Sequence, residues 1–330
     1  MGIKVTGIWI YPVKSCRGIQ VQSADIDEFG LKYDRIYMIV EPIRKTPGRF
    51  KSMSQKRYPK MAKLHQSIRP SHGAGKGTVT VTDSDTGLSI ELPLQPLTDM
   101  LRVLPTELPF IPEDTNMLDM GDAYTDFFTS FMGKCCRLVY RDANRVVHGN
   151  PLERWDMDWS GFLWPRQIVT ACTDNAPIHF VTEESLSTLS TEMGTTVSPD
   201  RFRPSFILKG IAEPWDEEDW KLIHVEEVGK ISVTSRQPRC QIPNVNPEAG
   251  KIDRLCQPTS WLKRNHQSDP SPVWGQSAIF GMMATHHKPG HLGIFGIFGF
   301  AGHVYSLQAE PKREEYFGGL RKNMMSVWVF

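Results

Sequence analysis

Two short segments concentrate the residue types that can do chemistry. Cys240 sits in Arg236-Gln237-Pro238-Arg239-Cys240-Gln241-Ile242-Pro243-Asn244. The two arginines provide the positive surroundings that suit a thiolate, and the flanking prolines restrict the backbone that carries it. A sulfur placed in this way serves either as a nucleophile or as a ligand for a soft metal. Nucleophilic catalysis would require a histidine base, and none of the ten histidines is set beside Cys240 by the local sequence. Cys16, in Val13-Lys14-Ser15-Cys16-Arg17-Gly18, has similar basic neighbours. It follows a core strand directly, so packing competes with reactivity there. Cys135, Cys136 and Cys172 read as structural, and Cys256 lies in a polar stretch with no partner near it in sequence.

A second group of residues has anion-binding character. Lys14-Ser15 falls at a strand end before Gly18, where backbone N–H groups and a lysine can meet a phosphate. Asp34-Arg35 leads into another strand, and Arg201-Phe202-Arg203-Pro204-Ser205-Phe206 sets two arginines beside a strand start. Each alone is ordinary solvated surface. Together they offer the several contact points that a large anionic ligand needs.

The elements that must position these residues are mostly short strands. Ile3 to Ile10 is rich in β-branched and aromatic residues and stops at Tyr11-Pro12. Tyr37 to Val40 follows, and Thr78 to Thr82 with Leu88 to Leu92 flank Asp83-Ser84-Asp85-Thr86-Gly87 as a hairpin. Short strands with frequent turns favour a barrel over a βαβ sheet. Asp122 is expected to cap a helix on which Tyr124, Phe127, Phe128 and Phe131 recur, with Gly133 as its stop. That aromatic face reads as core. Thr182 is expected to cap a second helix carrying Leu186, Leu189 and Met193, ended by Gly194. Asn144 to Pro165 reads as a connection between domains.

Composition bounds the rest. The 330 residues carry 38 Lys+Arg against 37 Asp+Glu, so no overall field draws the chain to nucleic acid or to acidic lipid. Six cysteines without a Cys-x-x-Cys pair exclude a zinc ribbon and a thioredoxin-type site. The apolar run from Leu292 to Ala301 is about half of what spans a bilayer.

Five segments in order then resemble one family. Ile10-Tyr11-Pro12-Val13-Lys14-Ser15-Cys16-Arg17-Gly18 and Gly30-Leu31-Lys32-Tyr33-Asp34-Arg35 are similar to the opening of the N-terminal β-barrel of MOSC-domain proteins. Asp174-Asn175-Ala176-Pro177 with Thr182-Glu183-Glu184-Ser185-Leu186 resembles the start of the MOSC domain proper. Arg201-Phe202-Arg203-Pro204, and Arg239-Cys240 followed by Pro243-Asn244-Val245 and Gly250, resemble its later motifs. The match runs over roughly the first 285 residues, in the subgroup of the mitochondrial amidoxime-reducing component and the C-terminal region of molybdenum cofactor sulfurase.

The resemblance implies a mainly β chain with α+β elements: an N-terminal MOSC-type β-barrel domain at 1–143, a MOSC β-barrel domain at 144–288 and a divergent tail at 289–330. It implies a molybdenum–molybdopterin cofactor, with Cys240 as the thiolate on the metal. Lys14, Ser15, Arg35 and Arg203 would contact the pterin or its phosphate, with Ser205 and Arg239 also at the cofactor. Asp174 and Asn175 would line the metal side, Asp174 in a catalytic role. The implied reaction is removal of oxygen from an N-hydroxylated substrate. No cysteine set for an iron–sulfur cluster and no Gly-x-Gly-x-x-Gly loop is present, so electrons would come from partners, in this family a b-type cytochrome and an NADH-dependent reductase. The mitochondrial members carry a membrane anchor before the barrel, whereas this chain starts at the barrel, so the expected location is cytoplasmic.

The chain also departs from the family. Pro238 stands where a small polar residue is common, and Ser205 where the subgroup carries asparagine. The closing Val-Gly-Asp-x-Val strand is not found after Gly281, which predicts an exposed sheet edge. The alternative reading is a cofactor or sulfur carrier without turnover. The sulfurase relatives motivate it, although the pyridoxal-phosphate domain of those proteins is not present here.

Overall fold

The computed structural model describes residues 3–70, 77–108, 115–141, 146–147, 168–169, 172–173, 176–220, 222–225, 228–266, 277–294 and 304–306. Asp174 and Asn175 lie outside the described residues. So does the Asn144 to Pro165 connection, apart from the backbone of Val146–Val147. The described chain is mainly β-strand with three α-helices: α1 (Asp122–Met132), α2 (Glu183–Met193) and α3 (Thr259–Asn265).

Two β units meet at the site. A closed barrel is formed by Arg102–Glu107, Thr115–Asp119, Arg137–Arg141, Tyr37–Pro42 and Phe50–Ser52. The larger unit is an eight-stranded sheet ordered Ile19–Val21, Lys4–Ile10, Phe206–Lys209, Ile178–Thr182, Ala278–His286, Gly229–Arg239, Leu222–Val225 and Val304–Ser306. The first strand of the chain is therefore hydrogen-bonded into a sheet built mostly from the second half, with Ile8 opposite Phe206. Closing such a contact costs loop entropy, and burial offsets it: Phe180 and Phe206 stack at 5.5 Å and neither is exposed. Each buried ring contributes roughly 2–3 kcal/mol.

Local chemistry explains most of the expected elements. The Thr78–Asp83 and Ser89–Pro93 strands form the expected hairpin. Asp83 tightens its turn by accepting from Asp85 N at 3.0 Å and Thr86 Oγ1 at 2.8 Å. Thr182 caps α2, accepting from Ser185 N at 3.3 Å, and Gly194 ends it in the left-handed region. For α1 the expected cap is corrected. Gly121 occupies the cap position, Asp122 is the first helical residue, and Asp122 pairs with Arg137 at 2.9 Å. The Gly121 N–H is held by Asp119 at 3.1 Å.

The tail also differs from expectation. Gly290–Gly293 pairs with Ser23–Asp27, and Val304–Ser306 adds a strand beside Leu222–Val225. The edge of Leu222–Val225 is thus covered, and a segment beyond residue 288 crosses back to the N-terminal part.

Behind α2, Glu217 is 1% exposed and accepts from Thr182 Oγ1 and Ser185 Oγ, both at 3.0 Å. Burial raises its carboxyl to about 7, against the pull of these hydrogen bonds. A carboxyl raised in the folded state binds its proton more tightly there than in the unfolded chain, so stability falls as pH climbs from about 4.5 towards 7. Glu217→Gln removes that slope. In urea melts, the variant's advantage over the wild type should grow by roughly 2–3 kcal/mol from pH 4.5 to 7.5. Parallel pH profiles would contradict the assignment.

Candidate functional site

The Lys4–Ile10 strand delivers Tyr11 and the turn after it. The barrel holds that turn in place. Lys14 N donates to Tyr37 O at 2.8 Å, Tyr37 N to Pro12 O at 2.9 Å, and Arg35 N to Tyr11 O at 2.9 Å. Gln55 Nε2 donates to Ser15 O at 2.8 Å, and Gln66 Oε1 accepts from Val13 N at 2.8 Å. Ser15, Arg35 and Arg203 have φ of 66°, 49° and 56°, in the left-handed region. A non-glycine residue held there costs about 1–3 kcal/mol, and such strain gathers at ligand clamps. Three of the residues expected at the cofactor carry it.

Tyr11 is the hub. The Arg35 and Arg203 guanidinium carbons lie 4.4 Å and 4.2 Å from its ring centroid. Its hydroxyl donates to Pro204 O at 3.2 Å, and its N–H donates to Asp34 at 2.8 Å. Gly18 makes room for the ring, since a Cβ there would sit 2.3 Å from a ring carbon. Arg35 is paired with Asp34. Arg203 Nη1 donates to Cys16 O at 2.7 Å, but its buried Nη2 has no hydrogen-bond partner. Burial lowers the Arg203 pKa, and Arg35 lowers it further.

Arg239 extends the cationic cluster towards Cys240. Its Nε donates to Phe280 O at 2.8 Å and its Nη1 to Phe202 O at 3.2 Å. Its Nη2 donates to His179 Nε2, while His179 Nδ1 faces Arg203 O at 3.4 Å. Burial, and then the Arg239 charge, hold His179 well below its ordinary range, so the imidazole is neutral and accepts. Burial pulls Arg239 down to about 9, opposed by Cys240 and Tyr11. Gly281, at φ 72°, lets the strand approach, because a Cβ there would meet His179 Nε2 at 2.7 Å. Among the described residues, neither Arg203 nor Arg239 has a carboxylate within ion-pair distance. Cations this enclosed, without a directly paired carboxylate, are costly to hold, and an anionic ligand relieves that cost.

Cys240 follows the Gly229–Arg239 strand, is exposed, and accepts from Ile242 N at 3.4 Å. The turn after it is braced by Arg201, which donates to Pro243 O and Gln257 O, both at 2.6 Å. Pro238 lies opposite Ile279 at an irregularity of the ladder, which accommodates its missing N–H.

The remaining expected residues separate. Lys14 is half-buried beside the turn, and Ser15 is buried with its carbonyl held by Gln55. Ser205 is fully buried, and its hydroxyl accepts from His179 N at 3.2 Å, so it supports the site from behind. Arg236 is buried and pairs with Glu218 at 3.4 Å and Asp219 at 3.5 Å. Cys16 is fully buried, and burial pushes its thiol up to about 12, so it is packing. The sequence reading missed Tyr11 and His179 as site residues. His179 could have been found as the basic residue in the otherwise apolar run Ile178-His179-Phe180-Val181.

Among the described residues, no group of three or more His, Cys, Asp or Glu side chains could hold a metal ion. One protein sulfur beside an anion cradle suits a metal that arrives already bound to an anionic organic carrier.

Comparison with known proteins defines the class. Residues 2–135 match the MOSC N-terminal beta barrel domain and residues 145–294 match the MOSC domain. The chain belongs to the family in which these two domains occur in tandem. It is 29% identical over 307 residues to the mitochondrial amidoxime reducing component 2 of Rattus norvegicus, covering 88% of this chain and 81% of the relative. It is 25% identical over 303 residues to the mitochondrial amidoxime-reducing component 1 of Homo sapiens, covering 88% and 80%. Both relatives are named as mitochondrial. Among the described residues of this chain, no helix is long and apolar enough to cross a membrane.

The unfilled hydrogen-bond capacity at Arg203 makes a direct prediction. Inorganic phosphate should raise the melting temperature of the purified, cofactor-free protein. Arg203→Met should abolish that shift whatever its own stability. A shift equal in both proteins would place anion binding elsewhere.

Proposed function

We propose that this protein is a molybdenum-cofactor-dependent oxidoreductase that reduces N-hydroxylated substrates. The observation that carries the reading is the arrangement of Arg203 and Arg35 on Tyr11, with a buried guanidinium nitrogen left over, next to Arg239 and the exposed Cys240. These residues fit an anionic pterin cofactor. When bound, such a cofactor supplies two-electron oxygen-atom removal from an N–O bond.

The chain's own groups would then divide the work. Cys240 Sγ would hold the metal, on a turn fixed by Arg201. Arg203 and Arg35 would receive the phosphate, with Tyr11 holding them at a common separation before any anion arrives. Arg239 would face the pterin while neutral His179 anchors its guanidinium from behind. Lys14 and the strained Ser15 backbone would close the anionic side. Asp174 and Asn175 are proposed on the metal side from the family resemblance alone. The overall change consumes two electrons and two protons, converting N–OH to N–H and releasing water. A b-type cytochrome and its NADH-dependent reductase are the proposed electron source.

The exposure of Cys240 also suits a cofactor or sulfur carrier, and turnover separates the two readings. Protein from a cofactor-competent host should contain about one molybdenum per chain, and Cys240→Ala should lose most of it. The loaded wild type should consume benzamidoxime with a chemical reductant. Metal without turnover would favour the carrier, and metal retained by Cys240→Ala would remove the proposed ligand.

A further inference from the structure

We propose that a basic face around residues 55–63 is the docking surface for an acidic one-electron donor protein. This inference rests on the oxidoreductase reading above. Between Pro42 and Thr82 there are ten Lys and Arg and no Asp or Glu, while the rest of the chain carries 28 Lys and Arg against 37 Asp and Glu. Charge is thus segregated along the sequence; in space Lys63 and Arg69 are paired with Asp85 and Glu91, and the cations around residues 51–60 carry the excess that can steer association.

The structure gathers part of this charge on one surface. Lys51, Arg57 and Lys134 converge on the single carboxylate of Glu41, Lys51 at 3.7 Å and Arg57 at 3.4 Å. Three cations against one anion leave a net positive surface. Arg57 and Lys134 lie 5.7 Å and 5.1 Å from the ring centroid of Tyr58, and Lys60 lies 5.2 Å from that of Phe131. Lys56 is exposed and has no carboxylate partner among the described residues.

This face adjoins the candidate site from two directions. Gln55, the residue before Lys56, holds the carbonyl of Ser15 in the anion cradle. The hairpin of Val245–Asn246 and Lys251–Ile252, which follows the Cys240 turn, packs on the same segment. A Cβ at Gly250 would sit 3.2 Å from Lys60 Cα and 2.9 Å from Lys63 Cγ. A protein seated on Lys56, Arg57 and Lys60 would therefore lie beside both walls of the site. Each encounter would pass one electron from a ferrous haem, which leaves as ferric. Two encounters and two protons would complete one N–OH reduction. A donor that must leave after one electron is better held by exposed charge than by a large apolar interface.

The test uses the full-length, cofactor-loaded protein with benzamidoxime as substrate. Lys56→Glu combined with Arg57→Ser is compared with the wild type. The donors are a soluble acidic b-type cytochrome and, separately, reduced methyl viologen. With viologen the variant should match the wild type. With the cytochrome its KM for the donor should rise about tenfold at low salt, and the gap should close by about 0.5 M NaCl. An unchanged cytochrome KM overturns the proposal. So does a defect confined to binding of anionic lipid vesicles or mixed-sequence DNA. If even the wild type fails with viologen, the oxidoreductase reading falls separately. Calorimetric titration of the cytochrome then still decides the surface, with equal binding by both proteins against it and weaker binding by the variant for it.

Discussion

A single aromatic ring holds two like charges together in a partly buried place. Tyr11 presents its ring to Arg35 and Arg203, where the Arg35 charge works against that of Arg203 and Asp34, paired with Arg35, works for it. Cation–π attraction is modest, on the order of 1–2 kcal/mol per contact when desolvated. It is reinforced by geometry that Tyr11 also controls, through its hydroxyl on Pro204 O and its N–H on Asp34. The left-handed backbone at Arg35 and Arg203 is tolerated because both ends of this construction are pinned.

The two β units divide the labour. Arg35 and Gln55 flank barrel strands, and Tyr37 of the barrel holds the Lys14 N–H, while His179 and Arg239 lie on the eight-stranded sheet and Arg203 just precedes one of its strands. The Lys4–Ile10 strand belongs to that sheet by hydrogen bonding, yet it ends in a turn held by the barrel. The site is therefore a seam, and its stiffness comes from polar contacts across it, such as Arg203 to Cys16 O.

Much of this was legible in the sequence where residue type and local motif suffice. Cys240 and Arg239 stand in a short pattern whose chemistry is suggested by a few neighbours, whereas Arg35 and Arg203 were assigned to the cofactor only by the resemblance of their motifs to a family. The cap at Thr182 and the hairpin around Asp83 depend on contacts within four residues, and they were readable for the same reason. Tyr11 was not, because its role depends on a guanidinium 192 residues later in the chain. The pairing of Arg236 with Glu218 and Asp219 was not legible either, because those carboxylates lie about eighteen residues away, outside the local motif. The Gly290–Gly293 strand escaped notice because it is short and glycine-rich, so only its partner Ser23–Asp27 makes it a strand.

The order of synthesis runs against this architecture. Lys4–Ile10 leaves the ribosome some two hundred residues before its sheet neighbour Phe206–Lys209. For that interval an apolar strand waits with an open edge, the condition under which chains mispair or recruit chaperones. The ligand cradle itself can assemble only after translation has passed Arg239, so any cofactor insertion must follow synthesis of residues from both β units.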